Sequence, residues 1–215
     1  MKFIEEFVEQ RSPEWLALHR GVITASRAIG LSTKARRATL AMTLAHESLS
    51  HEVAEQPVTD AMAAGVDAEP EIKARYNFLV DGSPRDIGFC WHPDYEGVAG
   101  CSPDQIDEEN DRLAEFKRRV GIQIMRNMVE GPKPEDWWQV QFSLFVTGAA
   151  CADYVDTAPH MQAPFDFCIT RIYPDEKIIS KLGEYIEEVV EAKKNHIAVA
   201  HQRFGSGEIF EMRQQ

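Results

Sequence analysis

Asp104 is followed eleven residues later by Glu115-Phe116-Lys117, two carboxylates and an amine at a spacing that suits metal-dependent cleavage of a phosphodiester. Mg2+ wants hard oxygen ligands in octahedral geometry and keeps several waters, so one or two carboxylates plus a substrate phosphate suffice to hold it. Such an ion polarises a phosphoryl oxygen and helps generate hydroxide from bound water. Lys117, beside the carboxylates, is placed to hold or deprotonate that water and to offset charge developing in the transition state. Asp104 and Glu115 are therefore the candidate metal ligands and Lys117 the candidate water-handling group.

The elements that must position these groups are two short strands, predicted over 98–106 and 113–117, joined by the turn-prone run Asp107-Glu108-Glu109-Asn110-Asp111. Side chains alternate along a strand, so Glu115 and Lys117 share one face while Phe116 enters a core on the other. Around this hairpin the pattern reads as helical pieces over 12–50 and a helical stretch over 58–79, which Pro70 is expected to kink or restart. A strand follows at 86–92, then the hairpin. A helix over 134–146 starts at a first-turn proline and stops before Gly148. Strands at 151–156 and 166–173 and an amphipathic helix over 175–200 complete the chain. Helices around a small mixed sheet define an α/β (α+β) class, expected to form one domain over 1–215.

Composition narrows the function. The net charge of −12 over 215 residues argues against a general nucleic-acid coat, because non-specific affinity for DNA rests on Lys and Arg contacts to phosphate. A narrow basic path through an acidic molecule stays compatible with it, and Arg27, Lys34, Arg36, Arg37 and Lys117-Arg118-Arg119 are the clusters that would supply one. The four cysteines, Cys90, Cys101, Cys151 and Cys168, form no CxxC pair and read as free, mostly buried thiols. No apolar run spans a membrane and the N-terminus lacks a signal-peptide core, so a cytoplasmic location is expected. His46-Glu47 and His51 imitate a zinc-protease HExxH, but histidines five apart leave a common helix face, which rejects that reading.

Two glutamines differ in their helical surroundings. Gln141 has Trp137, Trp138, Leu144 and Phe145 at three and four positions and sits in an apolar stripe, so its amide needs buried partners. Gln139 is flanked by Glu135, Asp136, Phe142 and Ser143 and is expected to be solvated.

Read in order, Trp15 to Ser26, Gly65-x-x-x-Glu69, Ser102-Pro103-Asp104, Glu115-x-Lys117, and Gln139-x-Gln141 followed by Val146-Thr147-Gly148 resemble the lambda-exonuclease and YqaJ-type viral recombinase nucleases. The resemblance covers roughly residues 10–150. It implies a PD-(D/E)xK restriction-endonuclease-like core and Mg2+-dependent, 5'-to-3' digestion of one strand of duplex DNA from phosphorylated ends, with Mn2+ a substitute metal. It also implies a homotrimeric ring, a single-strand annealing recombinase as partner, and a phage or prophage origin. By the same resemblance Glu69 is a ligand or supporting base near the metal, the Phe116 backbone carbonyl is a further ligand, and Gln141 orients a group at the active site. Ser26 with an upstream cation would bind the terminal 5'-phosphate. Here the chain departs from the family: His19 stands where an arginine is usual, so the charge would come from His19 itself, from Arg20, which follows it, or from Arg11. Gln105 replaces a glycine after Asp104, and Arg118-Arg119 replace a cysteine-proline pair. A catalytically silent DNA-binding subunit, or an endonuclease of the same fold, are the alternative functions.

Overall fold

The computed structural model describes residues 1–50, 60–205 and 207, with backbone alone over 60–66. Its frame is a pair of four-stranded sheets. The first has the order β1-β3-β4-β2, from β1 (Ile4–Glu6), β2 (Ile23–Thr24), β3 (Phe89–Trp91) and β4 (Ala99–Cys101). The second has the order β5-β6-β7-β8, from β5 (Gln105–Asp107), β6 (Arg112–Arg118), β7 (Cys151–Thr157) and β8 (Phe167–Ile172). Strands β6 and β7 run parallel, Glu115 opposite Tyr154 and Lys117 opposite Asp156, and the other pairs in this sheet are antiparallel.

The strand expected over 98–106 is two strands in two sheets. Ala99–Cys101 pairs with β2 and β3, Gln105–Asp107 pairs with β6, and Ser102-Pro103-Asp104 carries the chain across. Proline has no N–H to give a ladder, so a break at Pro103 follows from the backbone. The consequence is that Asp104 sits at the junction of the sheets. An antiparallel bridge between Arg85 and Ile106 ties the approach to β3 onto β5 beside it.

Helix α5 (Pro134–Thr147) fills the space between the sheets. Val140 and Leu144 pack on Leu113, Ala152, Tyr154 and Ile172 of the second sheet, while Phe142 and Val146 pack on Ile23, Cys90, Ala99 and Cys101 of the first. A helix apolar on opposite sides is a buried helix. It ends as expected at Gly148, whose φ of 64° is the left-handed conformation glycine adopts without a Cβ penalty. After the short α1 (Pro13–Leu18), helices α2 (Lys34–Leu49) and α6 (Glu176–Phe204) pack together over the first sheet through Leu40, Ala41, Leu44, Leu182, Ile186 and Val189.

Helix α3 (Asp60–Leu79) covers the opposite face of the second sheet, with Ile72 and Tyr76 against Ala114, Phe116 and Val155. The helix runs through Pro70 without a restart, and residues 58 and 59 of the expected stretch lie outside the described ones. Tyr76 stands edge-on to Phe116 and donates its hydroxyl to Asp153 Oδ2 at 2.9 Å, which anchors α3 to β7. Three described elements were not foreseen: β1, α4 (Gln123–Glu130) and a short 3-10 helix over Pro93–Tyr95. The four cysteines are free, three of them buried. No described helix is long and apolar enough to cross a membrane.

Candidate active site at the junction of the two sheets

The alternation of β6 sets the chemistry. Phe116 turns into the core under α3, a burial worth roughly 1.5–3 kcal/mol, while Glu115 and Lys117 turn to the face that α5 covers. Lys117 Nζ donates to Glu115 Oε1 at 2.6 Å and to Gln139 Oε1 at 3.2 Å. Gln139 Nε2 in turn donates to Glu115 Oε1 at 2.5 Å. Glu115, Lys117 and Gln139 thus close a three-membered ring of polar contacts between strand and helix. Asp104 joins from the sheet junction, its backbone N–H on Ala114 O at 3.1 Å and its Oδ2 accepting the Phe116 N–H at 2.5 Å.

The S-P-D turn that carries Asp104 is clamped from the N-terminal segment. Gln10 Nε2 donates to Pro103 O at 3.2 Å and to Ile87 O at 2.9 Å, and Trp15 Nε1 donates to Ser102 Oγ at 3.1 Å. The Ser102 hydroxyl in turn donates a hydrogen bond to Gly88 O.

Electrostatics follow from this crowding. Burial, then the charge of Glu115, push the Asp104 carboxyl up to about 7, although Lys117 and the Phe116 N–H pull the other way. Burial alone would lower Lys117, but the charges of Glu115 and Asp104 prevail and hold it above the ordinary lysine value. Lys117 is therefore an ammonium at neutral pH, able to hold a water and neutralise charge rather than accept a proton.

Glu69 reaches the junction from α3, close enough for its charge to raise Asp104 further. Arg11 Nη2 lies 2.7 Å and Lys73 Nζ 2.9 Å from its carboxylate. Burial works against ionisation of Glu69, yet these two hydrogen-bonded cations keep its pKa below the usual glutamate range. Asp67 and Glu71, two residues to either side of Glu69 on the same helix, are exposed.

The donor set suits a hard divalent cation. Two carboxylates, Asp104 and Glu115, meet at the junction and raise the free energy of each other's charge, which a dication relieves. Among the described residues no three His, Cys, Asp or Glu side chains converge as a closed cage. Mg2+ needs no such cage.

The two glutamines exchange the places expected of them. Gln141 is fully buried, but donates to Tyr173 O at 2.9 Å and accepts from the Asp175 N–H at 2.7 Å, so it fastens the connection from β8 to α6 rather than the active site. Gln139, expected in solvent, is the one that touches Glu115 and Lys117. Residues two apart lie on different sides of a helix, and which of those sides meets β6 is decided by how α5 docks between the two sheets.

Arg119 also departs from the expected DNA contact. Its guanidinium lies inward on Asp136 Oδ2 (2.5 Å), Asp156 Oδ1 (2.7 Å) and the Tyr154 hydroxyl, in a cluster that Asn127 Nδ2 closes on Asp156 Oδ2 at 2.8 Å. Arg118 points the other way along the strand, half-buried and without an ion-pair partner among the described residues.

Around the expected phosphate site, Ser26 is exposed at the start of a short 3-10 helix (Ala25–Leu31), 3.2 Å from the Thr24 hydroxyl. Arg20 gives its Nε to Glu47 O at 2.9 Å. His19 lies against Trp15 and edge-on to Phe89, with Nδ1 2.7 Å from Trp15 O, and burial lowers its pKa so that it is neutral at pH 7. In the early basic cluster, Arg27 is paired with Glu47 at 2.8 Å and Arg37 with Glu188 at 2.8 Å.

Two carboxylates at a sheet junction, followed along the next strand by a lysine, define a nuclease of the PD-(D/E)xK type. The chain belongs to the YqaJ-like viral recombinase domain family, which matches residues 14–150. Among solved structures it is similar to an alkaline exonuclease, LHK-Exo, from Laribacter hongkongensis, at 26% identity and a TM-score of 0.81 over 92% of this chain and 100% of that one. The same exonuclease in complex with dAMP gives 25% identity and a TM-score of 0.82 with equal coverage. A phage related exonuclease from Haemophilus somnus 129PT shares the fold, at 11% identity and a TM-score of 0.64 over 86% of this chain and 98% of that one. No curated protein sequence matches the chain.

Proposed function

We propose that this chain, acting as a single nuclease domain, is a Mg2+-dependent exonuclease. It digests one strand of linear duplex DNA 5'-to-3' from phosphorylated ends and leaves 3' overhangs for a single-strand annealing recombinase. The observation that carries the proposal is the meeting of Asp104, Glu115 and Lys117 at the sheet junction. Family membership and the likeness to LHK-Exo, itself an alkaline exonuclease, support exonuclease chemistry.

Asp104 and Glu115 would hold the divalent cation, with the Phe116 carbonyl and, once turned from its cations, Glu69 as further oxygen donors. When bound, the cation supplies Lewis acidity and a more acidic water. Lys117 spends two donors on Glu115 and Gln139, and its third is left for the attacking water. Gln139 keeps Glu115 and Lys117 in one geometry, and Arg118 offers a free cation to the DNA backbone.

The 5'-phosphate falls to Ser26 and Arg20, because His19 is neutral above its lowered pKa. A homotrimeric ring would enclose the duplex and reconcile an acidic exterior with DNA binding. A cytoplasmic, phage or prophage setting fits the same reading.

Linear duplexes with and without 5'-phosphates and a closed circle, each with Mg2+ or EDTA, test the proposal alongside Lys117→Ala. Loss of the phosphorylated linear DNA alone, dependent on metal and abolished in the variant, is expected. Cutting of the circle would make the protein an endonuclease, and no cleavage at all would make it a silent DNA-binding subunit. Light scattering that gives a monomer would remove the ring.

A further inference from the structure

A cavity of about 430 Å3 opens beside the active site between the segment after β1 and helix α3. Its lining includes Phe7, Arg11, Glu69, Lys73, Ile87 and Gly88. It adjoins the catalytic junction on two sides: Glu69 raises the Asp104 pKa, and Ile87 O and Gly88 O accept the hydrogen bonds that clamp the S-P-D turn. The volume lies in the range of small-ligand sites, enough for a nucleotide and too little for a duplex.

Phe7 is 87% exposed. Scattered exposed apolar residues are ordinary, but this one is held in place. The Val8 N–H bonds to Glu6 O at 2.9 Å, closing a three-residue turn with Phe7 at its apex. Gly88 presses on that turn from below, so closely that a Cβ there would collide with the backbone of Glu6 and Val8. The ring is thus presented on a fixed backbone at the cavity, with no core to enter.

The cations of the cavity divide into committed and available ones. Arg85 is held by Glu5 and Glu108, and Lys73 lies between Glu69 and Asp86. Arg11 uses one guanidinium nitrogen on Glu69 and leaves its side chain 51% exposed. Its backbone has φ 70°, an uncommon conformation for a non-glycine residue and one that concentrates at functional sites.

We infer that this cavity holds one unstacked nucleotide of the strand being cut, its base on the Phe7 ring and its phosphate on Arg11. Aromatic rings serve single-stranded DNA as sequence-tolerant platforms because every base has a π-face, and a neighbouring cation follows the backbone. The inference rests on the nuclease reading for the identity of the ligand, while the site itself is tested by binding.

The probes are 5'-phosphorylated duplexes, intact or with an abasic residue at the first, second or third nucleotide of the 5' strand. Anisotropy is read with Ca2+ in place of Mg2+, and cleavage is read separately with Mg2+. Phe7→Ala, which removes an exposed ring and should fold normally, is expected to weaken binding of the intact duplex about 5- to 150-fold. Phe7→Trp restores it, and one abasic duplex binds wild type and Phe7→Ala alike. Arg11→Gln lowers the slope of log affinity against log salt by about one.

Equal binding of the intact duplex by wild type and Phe7→Ala would overturn the inference. So would an equal loss on every abasic probe, since that marks a role in shape rather than in stacking. Abasic discrimination without cleavage by the wild type would uphold the cavity and sink the nuclease reading instead.

Discussion

Replacing Gln139 and Gln141 separately by alanine should divide function from stability within one turn of α5. Gln139 makes two charge-assisted contacts, 2.5 Å to Glu115 Oε1 and 3.2 Å to Lys117 Nζ. A hydrogen bond to a charged group contributes ~1.5–3 kcal/mol. The two contacts share the Glu115–Lys117 pair and do not add, so one such contribution is the appropriate loss. If the geometry it holds is needed in the transition state, the single-turnover cleavage rate falls about 10- to 150-fold. Stability should hardly move, because Gln139 is half-buried and alanine is the better helix former.

Gln141→Ala is the converse. It strands two backbone groups, Tyr173 O and the Asp175 N–H, at a cost of ~2–5 kcal/mol, or roughly 4–20 °C in Tm for a chain of this size. The rate on folded protein should stay within about threefold of wild type. Quench-flow on a phosphorylated duplex and a thermal melt of each variant decide the matter. A Gln139→Ala protein that cleaves at the wild-type rate, or a Gln141→Ala protein that melts normally but does not cleave, would refute the assignment.

The site is also pH-sensitive. Asp104 titrates at 3.8 when unperturbed and is pushed up to about 7 in the fold, so the neutral acid is the favoured folded form. Its contribution to stability is full below pH 3.8 and is lost as pH rises through 7. A divalent cation requires the carboxylate, so apparent Mg2+ affinity by calorimetry should fall about tenfold per unit below pH 7 and level off above it. A flat profile from pH 5 to 8 would contradict this. Arg119→Met leaves Asp156 as an unpaired buried charge and Asp136 with Lys133 alone at 4.0 Å, and should cost ~3–5 kcal/mol in urea denaturation. Arg118→Ala should instead leave the melt unchanged and reduce the salt slope of DNA binding by about one. His19→Asn should not alter the preference for phosphorylated ends at pH 8, where the imidazole is neutral, whereas Ser26→Ala should weaken it several-fold in kcat/KM. A large loss from His19→Asn at that pH would return the phosphate to the histidine.

Local patterns carried a large part of this protein. The period-two alternation of β6 was enough to place Glu115 and Lys117 together and Phe116 in a core, because strand geometry depends on the nearest residues alone. The caps at Pro134 and Gly148 set α5 for the same reason, whereas Glu69 was picked out by the family resemblance and not by its local pattern. The order of the motifs along the chain was sufficient to indicate the family. Long-range packing decided the rest. Only the assembled sheets show that Pro103 divides one apparent strand into two and so lifts Asp104 to their junction. The short β1 needs β3 as a partner before it is a strand at all. The docking of α5 between two sheets brought Gln139 to Glu115 and sent Gln141 to the start of α6, although both lie on one helix and two residues apart. Arg119 reads as a surface cation until Asp136, Asp156 and Tyr154, from two other elements, enclose it. A sequence states what each residue can offer and which face it shares with its neighbours. Which partner it meets depends on contacts between residues tens of positions apart, and those exist only in the tertiary structure.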